Sequence, residues 1–180
     1  MTFGGSTGAV MDVDCLSDID VRPSRRPSTG VTRDLLSQPG AQKSKLYTLP
    51  TGAFEVSFGD ELPPWFDTTM GSLLEILALG PGWDGHAAPP IHPRIAQDAL
   101  KLLCSVMDHR TPPPSIVPTY RGFLQMEWHR NGIDLEIEIL GGHRIHLWFE
   151  DQATGREVDR ELTTDLSQLT ECVSELSSRQ

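Results

Sequence analysis

The chain has 180 residues, a formal net charge of −10 and 38% hydrophobic residues. That length holds one domain with a tail, or two very small domains, and the modest apolar fraction is what a disordered segment diluting an ordinary core produces. The acidity excludes a general binder of phosphate backbones, which needs a basic face, and leaves room for a basic protein partner or a cation.

Residues 1 to 52 read as a flexible tail, and residues 53 to 180 as a single α+β domain. Gly4-Gly5-Ser6-Thr7-Gly8 and then Arg22-Pro23-Ser24-Arg25-Arg26-Pro27 bury too little apolar surface to offset the entropy of ordering. Nothing at the N-terminus resembles a secretory signal, since no basic region precedes an apolar block. At the start of the domain Phe54, Val56 and Phe58 alternate with Glu55 and Ser57, the pattern of a strand with one apolar face. Such a strand would join the sheet edge of this chain or that of a partner.

Two helices are expected next. Asp67 or Thr68 can cap a short one carrying Leu73, Leu74, Ile76 and Leu77, which Gly80-Pro81-Gly82 stops. Pro93 suits a first helical position, and Ile95, Ala99, Leu102, Leu103 and Val106 follow at helical spacing to about Asp108. No apolar run reaches the ~18 residues of a membrane span. The densest run, Leu73 to Leu79, is interrupted by Glu75. Cys15, Cys104 and Cys172 lack C-x-x-C spacing, so reduced thiols in a cytoplasm are expected.

Beta structure follows. Pro118 confines a short strand at Ile116 and Val117 to an edge or an end. Residues 123–130, 133–140 and 144–150 read as a meander, and 155–162 as a strongly charged further strand. The expected architecture is a three- to five-stranded antiparallel meander packed on one face by two or three helices. The last helix is capped by Thr164 or Asp165 and carries Leu166, Leu169, Val173 and Leu176.

Turn chemistry fixes the register. Asn131-Gly132 favours a two-residue type I′ turn, which sets Arg130 opposite Ile133 and Trp128 opposite Leu135. A two-residue Gly141-Gly142 loop would set Ile139 against Arg144 and scatter apolar residues over both faces. A three-residue loop, Gly141-Gly142-His143, restores core against core. The polar face then reads in three rows: Gln125–Glu138–His146, Glu127–Glu136–Trp148 and His129–Asp134–Glu150. Opposed like charges destabilise a sheet by roughly 0.2–1 kcal/mol per pair. This excess of carboxylates is the best functional lead.

Other chemistry is weak. His143 and His146 lie across a turn and a strand, not on one helix face. The glycine pairs lack the lysine and setting of a phosphate loop, and no nucleophile elbow exists. No cofactor, metal set or catalytic residue is assigned. Trp83-Asp84-Gly85 is either a recognition tip or an indole plugging the core edge beside a turn-capping carboxylate.

Pro81-Gly82-Trp83-Asp84-Gly85, Ala88-Pro89-Pro90, Val117-Pro118-Thr119, Gln125-Met126-Glu127-Trp128-His129 and Leu135-Glu136-Ile137-Glu138 together carry a resemblance. From Leu73 to about Leu176 the chain resembles a group of short, uncharacterised bacterial proteins. The resemblance implies a bacterial, cytoplasmic origin and one domain, and no particular chemistry.

The leading expectation is a non-enzymatic interaction module of the antitoxin, immunity or phage-defence accessory kind. It would bind a basic protein partner through Glu127, His129, Asp134, Glu136, Glu138, His146, Trp148 and Glu150, with Trp83, Asp84 and the 54–58 strand as further candidates. The alternative is a small metal-dependent hydrolase using His129, Asp134, His146 and Glu150. Arg22, Arg25 and Arg26 supply too few phosphate contacts for nucleic acid.

Overall fold

Alternating side chains and two glycine turns build the main sheet. A computed structural model describes residues 62–179 throughout and, before them, the backbone of three strands. These are β1 (Ile19–Arg22), β2 (Lys43–Leu49) and β3 (Gly52–Phe58), in an antiparallel sheet with β3 in the middle. Two of them fall within the stretch expected to be a tail; the rest of that stretch lies outside the described residues. Phe54 stands opposite Val21 and Tyr47, and Val56 opposite Ile19 and Lys45. So β3 pairs on both sides with N-terminal strands rather than with the main sheet. A hairpin between neighbouring strands closes a shorter loop than a reach to a distant edge, and so costs less chain entropy.

The main sheet contains β4 (Ser115–Pro118), β5 (Leu124–Arg130), β6 (Ile133–Gly141), β7 (Arg144–Asp151) and β8 (Arg156–Leu162), all antiparallel and in that order. Pro118 is on the edge strand, where its missing N–H removes no ladder bond. The helices are α1 (Phe66–Leu77), α2 (Pro93–Val106) and α3 (Ser167–Ser178). The first starts earlier than Asp67 or Thr68 would have it, after Trp65 and without a side-chain cap. Burial of Trp65 and Phe66 decides that boundary, both being 1% exposed, and Asp67 instead places its charge in the first turn. In α2, Pro93 is the first helical residue, and Nδ1 of His92 accepts from the Arg94 N–H at 3.1 Å. Before α3, a carboxylate oxygen of Asp165 accepts from the Ser167 N–H at 3.0 Å.

The expected pairing holds across β5 and β6, with Trp128 opposite Leu135 and Arg130 opposite Ile133. Asn131 and Gly132 have φ of 54° and 75°, as a type I′ turn demands. The β6–β7 turn corrects the expected three-residue loop. Gly141 pairs with Arg144 around Gly142 and His143, and the register shifts between Ile139 and Gly141. The extra residue is a bulge at the strand end. It preserves the parity that sets Ile139 against Ile145, so the apolar face stays whole.

That face is the core. Leu124, Met126, Leu135, Ile137, Leu147 and Phe149 are all fully buried, in one cluster with Leu73 of α1, Leu100 and Leu103 of α2, and Leu169 and Val173 of α3. Cys104 and Cys172 are buried among them, and burial pushes the Cys172 thiol up to about 11. They pack as small apolar groups.

Candidate functional site

With the helices on one face, the other face of the main sheet carries only the alternate residues of its strands. Glu127, Asp134, Glu136, Glu138 and Glu150 come from β5, β6 and β7. The eighth-strand residues Glu157, Asp159 and Glu161 extend the rows, facing Glu150, Trp148 and His146. Eight carboxylates thus share one surface. All of the polar-face residues expected from sequence are brought together here. The three from β8 were missed, although Arg156-Glu157-Val158-Asp159-Arg160-Glu161 alternates with period two and the signal was available.

The opposed pair Glu127 and Glu136 is answered by a neighbour. The side-chain amide of Gln125 donates to Glu127 at 3.0 Å and to Glu136 at 2.8 Å. Carboxylates only accept, so the nitrogen of Gln125 must be the atom that faces them. His129 lies between two acids, with Nδ1 2.8 Å from Asp134 and Nε2 3.5 Å from Glu127. The Asp134 hydrogen bond, with help from Glu127, raises its pKa above the usual histidine value. Asp134 also accepts from Gln152 at 3.1 Å. Farther along, Nε2 of His146 is 2.8 Å from Asp159, and Arg144 is 3.4 Å from Glu161.

The carboxylate face is therefore partly compensated, not bare. The carboxylates of Glu150 and Glu157 stand opposite each other and make no side-chain hydrogen bond or ion pair among the described residues. Trp148 is half-buried amid this charge, with Glu136 and Asp159 on its two flanks. The other three tryptophans donate their indole N–H to backbone oxygens: Trp65 to Asp108, Trp83 to Pro89 and Trp128 to Pro112. Trp148 meets no acceptor among the described residues.

The Trp83 loop resolves toward its structural reading. Besides the bond from Trp83 to Pro89 at 3.1 Å, Asp84 accepts from the N–H groups of His86 and Ala88 at 2.9 and 3.2 Å. The His86 amide in particular holds the Asp84 carboxyl below its usual value. Gly82 donates to Ala88 and Gly85 to Gly82, closing the loop on itself. Both side chains are used within the turn.

The donors of the hydrolase alternative do not converge. His129 and His146 sit on β5 and β7, strands roughly 9–10 Å apart with β6 between them. They are offset along the sheet as well, because Glu150, not His146, shares the His129 row. Zinc needs its ligands at ~2.0–2.2 Å. Among the described residues no group of three or more His, Cys, Asp or Glu side chains could hold a metal ion, and no helix is long and apolar enough to cross a membrane. Compared with known proteins, the chain matches no family model, no curated protein and no solved structure.

Proposed function

We propose that this chain is a cytoplasmic, non-enzymatic interaction module that docks a basic protein partner on the carboxylate face of its main sheet. The observation that carries this reading is the indole of Trp148, which meets no acceptor among the described residues and is set among eight carboxylates on the face opposite the described helices. A guanidinium can stack on an indole while its N–H groups meet flanking acids. Glu136 and Asp159 stand on either side of Trp148 to accept such bonds. Interfaces concentrate their energy in buried tryptophans and charged pairs near their centre.

Buried cysteines without C-x-x-C spacing, Cys104 and Cys172, suit a reducing cytoplasm. An acidic surface that masks a basic one is also the working principle of an antitoxin or immunity protein, and we place the module in that kind of role.

The test uses a short arginine-rich peptide and the full chain. At low salt the peptide should move the Trp148 indole resonance saturably, and binding should weaken several-fold when salt rises past the point where the screening length falls to ~8 Å. The double variant Glu136→Lys, Glu138→Lys should abolish it. Peptide binding that leaves Trp148 unmoved, or that survives the double reversal, would refute the proposal.

A further inference from the structure

At the β6–β7 end of the sheet, bordering the carboxylate face at Glu161, positive charge gathers among the described residues. A cleft of about 250 Å³ opens between α2 and the β6–β7 turn. Arg94 and Lys101, two turns apart on α2, reach it from one side, and His143 and Arg144 from the turn. In a chain of net charge −10, three permanent cations around one small cleft are a local inversion of sign. Asp98 is the acid in the lining, and it sits 3.5 Å from Arg94. Arg144 leans on Glu161 at 3.4 Å, a long contact with both side chains about half exposed. Lys101 has no hydrogen bond or ion pair among the described residues.

The floor is different in kind. Ile139 and Ile145 are 3% and 6% exposed, and Leu102 and Leu166 pack partly buried beside them. A cationic rim over an aliphatic floor suits an anion that carries an apolar body. The volume lies just below the ~300–1,000 Å³ of drug-sized pockets, which limits the ligand to roughly 10–15 non-hydrogen atoms. Several cations around one small cleft favour a dianion over a monoanion, because each adds its own Coulomb attraction.

The turn supplies rigidity. Gly141, Gly142 and His143 all have positive φ, at 74°, 62° and 61°, and the Gly141–Arg144 pair closes them. The bulge that keeps the sheet in register thereby also fixes where Arg144 emerges.

We propose that this cleft is a binding site for a small phosphate monoester with an apolar or aromatic body, separate from the docking surface around Trp148. The test is an amide NMR titration of the full chain at low salt with phenyl phosphate, inorganic phosphate and phenylacetate. Phenyl phosphate should shift amides of residues 98–105 and 141–145 saturably. Inorganic phosphate, which leaves the floor empty, and phenylacetate, which carries one charge, should each bind at least about fivefold more weakly.

Lys101→Gln and Arg144→Gln should each weaken phenyl phosphate about three- to tenfold, and Lys101→Arg should retain most of the affinity. These side chains are exposed, so the variants' unperturbed spectra report that folding is intact. The assignment fails if no saturable shift occurs in these two segments, if the double glutamine variant binds like the parent, or if phenylacetate binds equally well.

Discussion

Arg179, at the end of α3, grips Asp151 with both terminal guanidinium nitrogens, at 2.6 and 2.5 Å. Asp151 ends β7 and its side chain is fully buried, while that of Arg179 is 27% exposed. Thr154 and the Ala153 N–H supply further donors to the same carboxylate. Glu175 joins Arg179 to Arg156 of β8, whose guanidinium also lies 5.4 Å from the Phe149 ring centre. The helix is thus clasped to the last two strands by charge as well as by Leu169 and Val173.

Breaking that clasp leaves an acid buried without its counter-ion, which is worse than removing both groups. Arg179→Ala should lower Tm by roughly 5–10 °C, on the scale by which domains of this size respond to losing a buried contact. The double variant Arg179→Ala, Asp151→Asn should recover part of the loss. Thermal unfolding followed by circular dichroism reads both.

The same carboxylate sets an acid limb. Arg179 above all, with Thr154, holds Asp151 well below its unfolded value of 3.8. A depressed pKa contributes stability that is complete above the unfolded value and drains away as pH falls from there toward the folded one. Stability below about pH 4 should therefore fall more steeply in the parent than in Asp151→Asn, which lacks the titrating group. Equal acid slopes would count against the clasp.

His129 works in the opposite sense. Its pKa is raised from 6.5, first by Asp134 and then by Glu127. Its contribution is complete below 6.5 and is lost as pH rises through the higher folded value. The ring protons of His129 should titrate above 6.5 in NMR, and Asp134→Asn should bring the midpoint down toward it. A midpoint unchanged by that substitution would contradict the 2.8 Å contact.

Gly122 is a backbone requirement. Its φ is +83°, and an added Cβ would come to 3.0 Å from Cγ of Pro89, in the loop that holds Trp83. Proline's ring gives way little, so Gly122→Ala meets both left-handed strain and contact. A loss of about 1–3 kcal/mol is expected by urea denaturation. Gly142→Ala shares the positive φ but meets nothing within 4 Å, so the difference between the two isolates the close approach.

Much of this fold was legible because period-two alternation and Asn131-Gly132 constrain each other, so that Trp128 could sit only opposite Leu135. The bulge before Gly141 was not, since a three-residue loop and a bulged two-residue one preserve the same parity. Only the backbone path separates them. The start of α1 was hidden because burial of Trp65 and Phe66 outweighs the capping preference of Asp67. The rows of the carboxylate face followed from register. The bridging amide of Gln125 depends on side-chain conformation, and the cationic cleft on how α2 meets a turn some forty residues later. Neither arrangement has a local signature.

Glu136 separates stability from docking. It faces Glu127 directly, and the two acids repel across a half-exposed sheet even with Gln125 between them. Glu136→Lys turns that pair into an attraction and leaves the Gln125 amide its contact with Glu127 at 3.0 Å. Cross-strand pairs of this kind differ by roughly 0.2–1 kcal/mol, so the variant should gain about 0.5 kcal/mol at low salt and lose the gain as salt rises. The same substitution places a cation beside Trp148 and should repel an arginine-rich peptide. A residue kept for stability alone would show no such opposition. If the variant is instead less stable and binds the peptide unchanged, Glu136 belongs to the scaffold and not to a docking surface.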